Sequence, residues 1–116
     1  MINLSFLIFM SFSFFQFDNS RKILIFGNDQ SLVKTQQSWL MKDSSGVAER
    51  DIKIVLVKEG STLLSQYRVA SNQFAIILIG KDGGEKFRSL KPETTETLFA
   101  IIDAMPMRQS EMKKKN

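Results

Sequence analysis

The chain contains neither cysteine nor histidine. Without cysteine it can form no disulfide, present no thiolate nucleophile and offer no sulfur to a metal. Without histidine it lacks the side chain that ordinarily changes charge near neutral pH, and the commonest zinc ligand. Carboxylates, hydroxyls, lysines and the single tyrosine, Tyr67, remain for acid–base work. No cofactor is expected of such a set. Proline is also scarce, with only Pro92 and Pro106.

Charge is missing from the beginning of the chain. Residues 1–17 carry no charged side chain, and Phe6, Leu7, Ile8, Phe9 and Met10 form an unbroken apolar run. That run is too short to cross a bilayer as a helix, which takes about 20 residues. It has the length of the apolar core of an export signal. Ser11 and Ser13 supply the small residues that precede a cleavage site. The reading is a signal peptide over 1–13, a domain over 14–116, and a secreted or periplasmic location. No Lys or Arg precedes the run, so a retained membrane-associating segment and an edge strand or buried segment of the fold stay open.

At 116 residues there is room for one domain. The net charge is +4, and Lys113, Lys114 and Lys115 contribute to it. That tail reads as a solvated helix end with its cations against the helix dipole. No basic stripe interleaved with aromatics is present, so no nucleic acid is expected as a partner. Membrane contact is expected only if the N-terminal segment is retained.

Beyond that segment the pattern alternates. Residues 22–27, KILIFG, form a continuous β-rich run, as expected of a central strand buried on both faces. Asp29 or Ser31 then caps a helix over 30–43 with Leu32, Thr35 or Gln36, Trp39 and Leu40 inward. Ser44, Ser45 and Gly46 are expected to end it. A second strand over 51–57 should lie parallel to the first. Ser61 caps a short helix over 62–67. A third strand runs to Gly80, and the Asp82-Gly83 pair marks a hairpin into 85–89 with Phe87 inward. Pro92 and a Thr94 cap open the last helix, where Leu98, Ile101, Ile102 and Met105 make an apolar stripe that Pro106 interrupts.

This order predicts an α/β thioredoxin-like three-layer sandwich. Its four-stranded mixed sheet would hold two parallel strands plus a C-terminal β-hairpin, with helices on both faces. Thioredoxins usually carry thiols after the first of these strands. Here that stretch reads Gly27-Asn28-Asp29-Gln30-Ser31, and Asn72-Gln73-Phe74 stands where a cis-proline is usual.

Four stretches carry a more specific resemblance. They are residues 74–89, with Gly80-Lys81-Asp82-Gly83-Gly84; residues 98–109, with Asp103-Ala104-Met105-Pro106-Met107-Arg108; Asn19-Ser20-Arg21-Lys22 before the first strand; and Ala48-Glu49-Arg50-Asp51 before the second. Together they resemble an uncharacterised bacterial domain-of-unknown-function family, related to the DUDES domain of animal secreted sushi-repeat proteins. The resemblance implies a thioredoxin-like fold, often behind a signal peptide, and some of these relatives have been proposed to be peroxiredoxin-like. It brings no catalytic residues to this chain. Phe17 stands where the family commonly has tryptophan.

The residues themselves nominate Asn28, Asp29, Asn72, Gln73, Arg88, Met107 and Arg108 as a binding surface. The 27–31 turn sits at the end of a parallel strand, where ligands commonly bind, although capping alone accounts for Asp29. Met107 beside Arg108 offers an adaptable contact surface, against a plain helix terminus. Gly80-Lys81 is not a P-loop, since it leads into a strand. Glu93, Glu96 and Asp103 read as structural. The leading expectation is a redox-inactive domain that binds a protein or peptide. A non-thiol enzyme around Asp29, Asn72, Gln73 and Arg88, and a structural or membrane-surface role, stay open. Thiol peroxidase and disulfide exchange are excluded, because both need a sulfur nucleophile.

Overall fold

The structure, a computed structural model, describes residues 19–115, so the expected signal peptide and its cleavage near Ser13 lie outside the described residues. The elements run β1 (Arg21–Phe26), α1 (Gln30–Met41), α2 (Ser44–Glu49), β2 (Ile52–Val57), α3 (Thr62–Gln66), β3 (Ala75–Ile79), β4 (Glu85–Ser89), α4 (Thr95–Asp103) and α5 (Pro106–Lys115). The strands form one four-stranded sheet in the order β2-β1-β3-β4. β1 is parallel to β2 and antiparallel to β3, and β3 pairs antiparallel with β4.

The continuous apolar runs of β1 and β3 follow from their central place, with helices above and below. Ile23, Ile25, Ile76 and Leu78 turn to one face, against Val33 and Leu40 of α1, Val47 of α2, and Leu98, Phe99 and Ile102 of α4. Leu24, Phe26, Ala75, Ile77 and Ile79 turn to the other, where Val69, Leu63, Leu64 and Tyr67 cover them. β4 is an edge strand with exposed Glu85, Lys86 and Arg88, and only Phe87 packs inward. Charges along an edge discourage pairing with other chains. In the hairpin Asp82 accepts a hydrogen bond from the Gly84 N–H at 3.0 Å, and Gly83 takes the left-handed conformation that its missing Cβ permits.

The caps fall where the side chains can serve them. Asp29 accepts from the Ser31 and Leu32 N–H groups, Ser61 from Leu63 and Thr94 from Thr97. On α1 the buried residues are Val33, Gln36 and Leu40, which puts Leu32 and Trp39 at the margins of the packed face. Gln36 is fully buried, and its amide both donates to the Glu93 carbonyl at 2.9 Å and accepts from the Glu93 N–H at 2.8 Å. It thereby ties the loop before α4 to α1. Pro106 does more than bend a helix. It occupies the first position of α5, where a missing N–H costs nothing.

One expected boundary is corrected. Ser44, Ser45 and Gly46 do not end a helix reaching Asp43. α1 stops at Met41, and these residues begin α2, with Asp43 accepting from the Gly46 N–H at 3.0 Å as its cap. Gly46 is needed for close approach rather than as a terminator. A Cβ placed there would lie 2.7 Å from Phe99 Cε2 and 2.7 Å from Asp43 Oδ2. Gly46→Ala should therefore destabilise the domain by about 1–3 kcal/mol through overpacking. In an exposed helix the same change would stabilise by about 1 kcal/mol. Urea unfolding of the two proteins decides the sign.

Candidate functional site

The two ends of the sheet differ in chemistry. At the upper end β1 and β2 finish and β3 begins, and Asn28, Asp29, Asn72 and Gln73 lie on the adjoining segments. Asp29 and Gln73 are committed to the fold, whereas Asn28 and Asn72 are exposed. Asp29 caps α1, and the Gln73 amide donates to the Phe74 carbonyl at 2.9 Å. Arg88 donates to both carboxylate oxygens of Glu85 and, at 2.7 Å, to the Tyr67 carbonyl. The Tyr67 hydroxyl is raised above its usual range by burial and by the nearby Glu85 charge. A cavity lined by Gly27, Asn28, Val57, Lys58, Glu59, Leu64 and Ser71 measures about 10 Å³. That is room for about one water. Among the described residues this cavity is too small for a substrate.

The lower end, where β1 and β2 begin and β3 finishes, holds a dense set of charges. Its members come from segments far apart in sequence. Arg21 opens β1, Glu49 ends α2, Arg50 and Asp51 lead into β2, Lys81 follows β3, Asp103 ends α4, and Arg108 and Glu111 lie on α5. Arg21 grips Glu111 through two hydrogen bonds of 3.2 Å and donates to the Arg50 carbonyl at 2.8 Å. Lys81 reaches Asp51 at 2.8 Å and Glu111 at 2.9 Å. Asp51 makes that contact from a left-handed backbone, φ 55°, a conformation that aspartate tolerates better than most residues. Arg50 forks onto Asp103 at 3.0 and 2.8 Å while its guanidinium lies 3.9 Å from the centre of the Phe99 ring.

Arg108 corrects an expectation. The sequence suggests a surface group beside Met107, yet Arg108 is 1% exposed while Met107 is 49% exposed. α5 turns its arginine inward, where the guanidinium donates to Asp103 at 3.1 Å and to the Glu49 carboxylate at 3.2 Å. A buried guanidinium must be paired, and these carboxylates are the partners that make its burial tolerable. Of the Met-Pro-Met-Arg segment, Pro106 and Met107 are left on the surface.

The carboxyl groups respond to this setting. Burial alone would raise Glu111, but the hydrogen bonds from Lys81 and Arg21 override it and hold the group at about 2. Hydrogen bonding from Arg50, against an opposing burial effect and with help from Arg108, keeps Asp103 below its usual range.

A cavity of about 420 Å³ opens beside this network, lined by Arg21, Gly80, Lys81, Asp82, Lys86, Met105, Pro106 and Met107. Another, of about 340 Å³, lies between α1 and α4 against Trp39 and Phe99. Both are of ligand size, though at the small end of the usual range of about 300–1,000 Å³. The first is the stronger candidate, since it combines an apolar wall with three cations. Sequence reasoning weighed Gly80-Lys81 and Met105-Pro106-Met107-Arg108 separately and did not join them. The four stretches that carried the family resemblance all contribute to this end. Among the described residues no group of three carboxylates could hold a metal ion. No described helix is long and apolar enough to cross a membrane.

The fold is similar to several solved structures. A reduced 2-Cys peroxiredoxin from Plasmodium vivax matches with a TM-score of 0.66 and 14% identity, over 82% of this chain and 83% of the other. Trxlp from Edwardsiella tarda EIB202 matches at 0.59 and 23% identity, over 80% and 91%. A structure described only as a malarial protein matches at 0.59 and 19% identity, over 73% and 96%. At these identities the likeness establishes the fold, which is thioredoxin-like. No curated protein matches. Residues 16–111 match the family described as Domain of unknown function (DUF4174). The chain therefore belongs to the DUF4174 family, as a member with a thioredoxin-like fold and no cysteine to carry thiol chemistry.

Proposed function

We propose that this protein is an exported, redox-inactive domain that acts by binding a protein or peptide segment. The observation that carries the reading is the contrast between the two sheet ends. Among the described residues the cavity at the upper end measures about 10 Å³, while the one at the lower end measures about 420 Å³ with an apolar wall and a cationic rim. The apolar side is Met105, Pro106 and Met107, and methionine adapts readily to irregular partners. Export is supported by the uncharged, apolar residues 1–17 and by the resemblance to domains of secreted proteins.

Two measurements test the two halves of this reading. N-terminal sequencing of the native protein from the envelope or culture supernatant should give a chain starting at Phe14. A native chain beginning at Met1 and retained in the cytoplasm would overturn the export half. Affinity capture from the same compartment should recover a saturable partner, and its binding should weaken when Met107 is replaced by Asp. Capture that recovers no saturable partner counts against the binding half. Insulin reduction and thiol-dependent peroxide turnover by the pure protein should both be absent.

A further inference from the structure

The guanidinium of Arg21 is incompletely used. It carries five N–H donors in a planar fork. Nη1 donates to the Arg50 carbonyl and to Glu111 Oε1, and Nη2 donates to Glu111 Oε2. Glu111 therefore occupies the end-on face. Nε has no hydrogen-bond partner among the described residues and is shielded from water. The Nε–H and the remaining Nη2–H lie parallel along one edge of the plane, in the geometry that accepts both oxygens of a carboxylate. Arg21 is 1% exposed, and a buried charged donor left unpaired in a native fold calls for an explanation. The same side chain forms part of the wall of the 420 Å³ cavity.

The other groups around that cavity narrow the ligand. Lys81 has two carboxylate partners for its three N–H donors, and Lys86 at the rim pairs with Asp82 at 2.8 Å. The lining holds three cations and one carboxylate, with Asp51 and Glu111 placed against Lys81 and Arg21. One unpaired guanidinium edge beside cations already paired suits a single negative charge better than a phosphate dianion. The volume admits a terminal residue with its carboxylate, and octanoate in the test below separates that occupant from an acyl chain. Met105, Pro106 and Met107 favour an apolar side chain.

We propose that this cavity receives the C-terminal carboxylate of a partner peptide, with an apolar last residue against Met105, Pro106 and Met107. This rests on the peptide-binding reading above and goes beyond it by naming the part of the peptide and the group that holds it. An entering carboxylate moves the exposed Met107 aside, passes the Lys86 ammonium at the rim and reaches the Nε edge of Arg21.

The test is an amide NMR titration of the full chain with a short peptide ending in leucine, with the same peptide as its C-terminal carboxamide, and with octanoate. The free-acid peptide should shift the amides of residues 80–86 and 105, 107 and 108. Amidation should weaken binding about tenfold or more, which corresponds to ~1.4 kcal/mol or more. Arg21→Lys keeps the charge but loses the fork, and should abolish the preference for the free acid. If that variant does not fold, Lys86→Met at the rim should still weaken the free-acid peptide several-fold and leave the amide unaffected. Equal binding of acid and amide overturns the carboxylate assignment while leaving peptide binding intact. Shifts confined to residues 27–31 and 71–74 overturn the location but not peptide binding. Octanoate binding as tightly as the peptide overturns the choice of a peptide end. If neither peptide binds anywhere, both readings fall.

Discussion

Replacing Arg108 by alanine should destabilise the domain by about 3 kcal/mol, read as a lower urea midpoint at unchanged slope. The estimate sits at the low end of the range for breaking a buried ion pair, because the stranded carboxylates keep other partners. Asp103 retains its fork from Arg50, Glu111 retains Arg21 and Lys81, and Glu49 is half exposed. What is lost is a large, almost fully buried side chain, its hydrogen bonds to Asp103 and Glu49, and the tie that holds α5 against α2 and α4. Against a typical domain stability of about 5–15 kcal/mol the loss is severe. Arg108→Lys should recover only part of it, since one ammonium cannot fork onto two carboxylates as the guanidinium does. Met107→Ala, one residue away but exposed, should stay within about 0.5 kcal/mol of wild type. If the effects at 107 and 108 proved equal, the inward placement of Arg108 would be refuted.

The domain should also lose stability in acid through the same network. Glu111 is held at about 2 in the folded protein against an ordinary 4.5. A carboxyl lowered in this way stabilises the fold fully above the unfolded value, and the contribution disappears as pH falls from about 4.5 toward 2. The shift corresponds to roughly 2–3 kcal/mol, allowing for the partial exposure of Glu111. Asp103, lowered mainly by Arg50, adds in the same direction. Urea midpoints measured from neutral pH downward should fall through this window. Glu111→Gln should start less stable at neutral pH and show a flatter decline. A parallel decline in the variant would mean that the acid sensitivity resides in other carboxylates.

Much of the architecture was legible from residue patterns. The continuous apolar runs of β1 and β3 could belong only to strands covered on both faces, and the Asp82-Gly83 pair specified the hairpin through local turn chemistry. Asp29, Ser61 and Thr94 announced the helix starts, because capping depends on residues a few positions apart. The same locality misled at Gly46. A glycine after two serines reads as a helix terminator, and only the ring of Phe99, more than fifty residues later in the chain, makes it a packing requirement inside α2.

Arg108 shows the same limit at the functional end. Local sequence gives an arginine on a polar helix, which defaults to solvent. Its burial depends on Glu49 and Asp103, Asp103 is held in turn by Arg50 and the neighbouring Glu111 by Arg21 and Lys81, and none of these reveals its partner by spacing. By itself the sequence determined that the protein performs no thiol chemistry, that it alternates strands and helices in the thioredoxin order, and where the hairpin and the caps at Asp29, Ser61 and Thr94 lie. Composition and local hydrogen bonding suffice for each of those. Only the tertiary structure decided which end of the sheet carries the cavity, which charges are buried, and that Arg21 keeps an edge unpaired. Those facts arise where segments distant along the chain share one low-dielectric space, and no single segment encodes them.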